Sequence, residues 1–100
     1  MTTTIQETEG KIIAVLSGEL DTAAAQETEK ALQPLLKSEG KDIIIDCKEL
    51  EYISSSGLRV LLGILKQAKA VGSRVILKSV NDVIRDVLDL TGFIHLFEFE

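Results

Sequence analysis

Tryptophan is absent from this 100-residue chain, and cysteine, histidine and proline occur once each. A single Cys47 cannot close an internal disulfide, and Cys47 with His95 is too small a set for a zinc site built from those residue types. Any Ser-His-Asp arrangement would rest on His95 reaching a serine, and no nucleophile-elbow motif accompanies it. Gly57, Gly63 and Gly72 are too widely spaced to form a phosphate-cradling loop. Long apolar runs are also missing: Ile12 to Leu16 and Val60 to Leu65 fall far short of the roughly 20 residues that a membrane-spanning helix needs. Met1 to Glu9 has neither the basic start nor the apolar middle of a secretory signal, so a cytoplasmic protein without membrane insertion is expected. Positive charge is in deficit, with 11 Lys and Arg against 16 Asp and Glu and a net charge of -5. That field repels phosphate backbones and argues against nucleic acid as a partner.

What is present suffices for one core. With 45% hydrophobic and 27% charged residues the chain lies outside the disordered range, and its length suits a single domain over residues 1–100. A weak alternation around Ile5, a turn at Glu9-Gly10 and the run Lys11 to Ser17 predict an antiparallel strand pair that Gly18 ends. Asp21 or Thr22 is placed to cap a first helix whose apolar stripe reads Ala24, Thr28, Ala31, Leu32, Leu35 and Leu36. Pro34 should interrupt that helix, and Ser38-Glu39-Gly40 should close it. Ile43-Ile44-Ile45 reads as a mid-sheet strand, followed by a loop from Lys48 to Ile53. Leu58, Leu61, Leu62, Leu65 and Ala68 mark a second helix, and Val75-Ile76-Leu77 a second buried strand. Asn81 is a plausible cap for a third helix with Val80, Val83, Ile84, Val87 and Leu88 on one face. Gly92 is suited to end it, and Phe97 with Phe99 forms a last short strand. The fold expected is α/β: a mixed sheet of four to five strands with an antiparallel first pair, a parallel core and about three packed helices.

Chemistry concentrates in Tyr52-Ile53-Ser54-Ser55-Ser56-Gly57-Leu58-Arg59, at the junction between the central strand and the second helix. Sites in open α/β sheets gather at the carboxyl ends of strands, which is where this segment falls. Ser54 or Ser55 serves as a helix cap on the plainest reading. Ser56, beside a glycine expected to be flexible and at the positive end of a helix, is suited to carry a phosphate.

The run Asp46 to Leu62, with Ser-Ser-Gly-Leu leading into an apolar helix, resembles the STAS family and particularly its bacterial anti-sigma factor antagonists. Gly18-Glu19-Leu20-Asp21, and Asp89-Leu90-Thr91-Gly92 with Leu96-Phe97, resemble further parts of that family's pattern. The resemblance implies a binding module with no catalytic site or cofactor of its own. Its partners would be a serine-kinase anti-sigma factor and a resetting serine phosphatase. It makes Ser56 the phosphoacceptor, and Asp21, Tyr52, Ser54, Ser55, Gly57, Leu58 and Arg59 the partner-binding set. Where the family often carries aspartate two residues before the acceptor, this chain has Ser54. Other readings stay open beside it. Asp21 has a sufficient reason in capping alone, and Arg59 either meets an acidic group or phosphate or is simply solvated. The whole chain would alternatively serve as an unmodified STAS subunit of a transporter or stress-signalling scaffold, or as a small serine hydrolase. No heptad seam is present, and a monomer is expected in isolation.

Overall fold

The computed structural model describes residues 1–37 and 39–100, with Leu36 described by its backbone alone. The expected roles of Ser38 in closing the first helix and of the Leu36 side chain in its stripe lie outside the described residues. Strand β1 (Thr2–Thr8) pairs antiparallel with β2 (Lys11–Leu20), Thr8 standing opposite Lys11 so that Glu9 and Gly10 make the turn. Parallel pairing then adds β3 (Asp42–Ile53), β4 (Val75–Lys78) and β5 (Glu98–Phe99), giving the order β1-β2-β3-β4-β5. Helices α1 (Thr22–Ala31), α2 (Ser55–Ala70) and α3 (Asp82–Thr91) fill the crossovers.

Each parallel strand is laid beside its predecessor in one continuing direction, so crossovers of the usual right hand bring all three helices to the same face. Burial agrees with this. Ile12, Ala14 and Leu16 of β2 and Ile43, Ile45 and Cys47 of β3 form one cluster with Leu61 and Ile64 of α2 and Ile84 and Leu88 of α3. Ile44 and Ile76, which alternate to the other face, stand outside that cluster although both are buried.

Several local expectations change. Gly18 does not end β2: it takes φ +103 at an irregularity in the β2–β3 register and the strand continues to Leu20. The segment from Lys48 to Ile53 is strand rather than loop. Glu49, Leu50, Tyr52 and Ile53 all pair with β2, but the register shifts leave burial on every third residue from Cys47 through Leu50 to Ile53 instead of the alternation of a regular strand. Helix α1 stops at Ala31 and Gln33–Lys37 forms a 3-10 turn containing Pro34, as the proline requires. Its buried side is Ala25, Thr28 and Leu32, with Ala24 and Ala31 only half-buried. Val83 faces solvent at 58% exposure, leaving Ile84 and Leu88 to anchor α3.

Candidate functional site

Parallel pairing sets Glu19 against Tyr52 and Leu20 against Ile53, so the β2–α1 turn and the β3–α2 turn lie side by side at the carboxyl ends of their strands. Each turn is closed by an extended cap residue. Asp21 Oδ1 accepts from the Ala24 N–H at 2.8 Å, and Ser54 Oγ accepts from the Gly57 N–H at 3.1 Å. Both bonds satisfy first-turn donors that a helix leaves unpaired.

Ser54 does more than cap. Its hydroxyl also donates to the Leu20 carbonyl at 3.1 Å, and its backbone N–H donates to the same oxygen at 2.9 Å. Only 8% of Ser54 is exposed. Gly57 is buried rather than flexible: a Cβ there would lie 2.6 Å from Leu20 Cγ and 2.9 Å from Leu20 O. Close approach of α2 to Leu20 explains this glycine.

Ser55 is exposed and Ser56 half-buried, both within the first turn of α2. Among the described residues neither hydroxyl has a hydrogen-bond partner. Ser56 opens onto a groove of about 610 Å³ between α1 and α2. Thr22, Gln26 and Glu29 line one side and Arg59, Gly63 and Gln67 the other. Asp21 faces a separate depression of about 450 Å³ with Glu19, Glu27 and Glu51. Tyr52 is 46% exposed and Arg59 is exposed, whereas Leu58 at 3% belongs to the core.

No cluster of three or more His, Cys, Asp or Glu that could hold a metal occurs among the described residues. His95 sits in the turn before β5 and makes no hydrogen bond to Ser56. Burial pushes the Cys47 thiol up to about 12, and the Asp46 carboxylate adds to the shift, so thiolate is scarce at neutral pH. None of the described helices is long and apolar enough to cross a membrane.

The STAS domain family model matches residues 2–100. The chain belongs to the STAS domain family. BtrV of Bordetella bronchiseptica, assigned as an anti-sigma factor antagonist, is 32% identical over 97% of this STAS chain and 84% of its own. The anti-sigma-B factor antagonist of Bacillus subtilis is 30% identical over 88% of this chain and 80% of its own. Among solved structures, the unphosphorylated anti-sigma factor antagonist SpoIIAA superposes with a TM-score of 0.75 at 22% identity, covering 99% of this chain and 87% of that one. Phosphorylated SpoIIAA gives 0.74 at 23% identity, with coverage of 99% and 91%.

Of the site residues read from the sequence, this STAS fold brings Tyr52, Ser55, Ser56 and Arg59 to the surface around the start of α2. Ser54, Gly57 and Leu58 are buried beneath it. Asp21 joins the region through its neighbour Leu20, not through the groove. Sequence reading missed the α1 wall of that groove. Its signal was the polar series Thr22, Gln26, Glu29 and Gln33 at spacings of three and four, which is what a solvated helix face also looks like.

Proposed function

We propose that this STAS domain is an anti-sigma factor antagonist: it docks a serine-kinase anti-sigma factor through the surface around Tyr52, Ser55, Ser56 and Arg59, and phosphate on Ser56 ends the complex. The observation that carries the reading is the Ser56 hydroxyl itself, unbonded at the mouth of an open groove while its neighbour Ser54 is fully engaged. A kinase reaching this turn meets two usable hydroxyls, and Ser56 is the one bordering the groove. ATP and the catalytic residues belong to the partner, a serine phosphatase resets the switch, and the exchange takes place in the cytoplasm. The chain itself acts by binding.

Phosphate would add about -1.5 to -2 charge at the positive end of α2, where a negative group is tolerated by the helix. The fold therefore survives, a view supported by the near-equal superposition on the two SpoIIAA forms. The complex does not. A phosphate in the middle of a docked patch has to lose its water, at a cost of several kcal/mol unless a cation meets it, and each 1.4 kcal/mol is about tenfold in affinity.

The test is a pull-down from native lysate with wild-type, Ser56→Ala and Ser56→Asp baits, joined to tandem mass spectrometry of the retained kinase's phosphorylation product. Wild type and Ser56→Ala should retain an ATP-dependent anti-sigma factor that Ser56→Asp loses, with phosphate mapped to Ser56. Retention of one non-kinase partner by all three baits would overturn the switch, as would phosphate found only on Ser55.

A further inference from the structure

Leu20 is the point at which the two candidate contact turns meet. Its side chain is wholly buried, its carbonyl receives both the N–H and the O–H of Ser54, and the residue after it caps α1. The Ser54 hydroxyl thus works in two directions at once: it donates to the β2–α1 turn and accepts from Gly57 in its own. One O–H and two lone pairs make that combination available to a hydroxyl. An ionised carboxylate only accepts, so an aspartate at this position brings no side-chain donor to the buried Leu20 carbonyl.

We infer that Ser54 is a positioning residue: its hydroxyl locks the Asp21-bearing turn to the Ser56-bearing turn so that they present one preformed surface, and the lock needs a neutral donor at position 54. The functional meaning rests on Ser56 being the switch, while the hydrogen-bond argument does not. Asparagine provides a decisive comparison because it has nearly the shape of aspartate but carries a donor as well as an acceptor. Threonine keeps the hydroxyl.

Amide hydrogen exchange followed by NMR at neutral pH tests the lock in Ser54→Ala, Ser54→Asp, Ser54→Asn and Ser54→Thr. The Gly57 amide reports the local cap, Ala24 the distant turn through the Asp21 cap, and Ile45 in the central strand the global stability. In Ser54→Ala, exchange at both Gly57 and Ala24 should rise by about tenfold beyond any change at Ile45, the scale of one lost hydrogen bond, whereas in Ser54→Asp, whose carboxylate still accepts from Gly57, the rise should appear at Ala24. Threonine and asparagine should keep both amides near the wild-type rate. A rise confined to Gly57 would make Ser54 a local cap and overturn the inference, and so would an equal rise at all three amides. Equal protection in the aspartate and asparagine variants would remove the need for a donor. Phosphorylation is read separately by mass spectrometry after the same proteins are incubated with ATP and the kinase retained in the pull-down. Absence of phosphate from wild type would sink the switch reading and leave the exchange result standing.

Discussion

Gly57 shows how a residue can be placed correctly from sequence and explained wrongly. A glycine after three serines suggests local flexibility, yet in the fold it is a helical residue whose missing side chain lets α2 close on Leu20. Gly57→Ala pits two effects against each other. Alanine would gain about 1 kcal/mol in helix propensity, while overpacking costs about 1–3 kcal/mol. The clash should win, because one of the obstructing atoms is the Leu20 backbone carbonyl oxygen, which cannot turn aside. Urea denaturation should therefore find the variant less stable than wild type, and a more stable variant would contradict this packing. Cys47 offers a pH test. Its thiol rises from 9.0 to about 12 in the fold, so the folded state holds this proton more tightly than the unfolded chain does. Its contribution is fully present below pH 9 and is lost as pH climbs from about 9 towards 12. Wild type should lose stability over that window more steeply than Cys47→Val, measured by urea midpoints at several pH values. At pH 8 the native thiol should resist a thiol-directed reagent until the protein unfolds.

At the level of the element, the helix starts were the most legible features. Asp21 and Asn81 were readable as caps and both bond to the third amide beyond, at 2.8 and 2.9 Å, because a capping side chain acts within its own turn. The tail of β3 was not readable. Its burial repeats every third residue only because β2, far away in sequence, imposes register shifts on it. Helix α3 failed in a different way: Val83, Ile84, Val87 and Leu88 all fit an apolar face, and only packing against the sheet decides which of them is buried. Leu88 is wholly buried while Leu90, two residues on, is 88% exposed. Leu88→Ala should thus cost about 2–5 kcal/mol in a denaturation experiment. Leu90→Lys should stay within about 0.5 kcal/mol of wild type. Comparable losses from the two would mean that α3 is rotated from this orientation.

For the molecule as a whole, the sheet order places every helix on one face and carries the ends of β2 and β3 to the same edge, where Ser56 sits beside the α1 wall of the groove. A charge added at that position alters the surface without touching the core. Ser56→Asp should accordingly unfold in one cooperative transition with stability within about 0.5 kcal/mol of wild type, while abolishing retention of the partner. A large loss of stability would mean that release follows unfolding and not a change of surface. Composition, the short apolar runs, the cap residues and the serine motif were determined by the sequence alone, because each depends on chemistry within a residue or on contacts a few positions apart. The close approach at Gly57, the second hydrogen bond of Ser54, the strand character of the β3 tail and the α1 wall of the groove were decided only by tertiary structure. Each joins groups about thirty residues apart in the chain, and no local pattern of residues records which of them will meet.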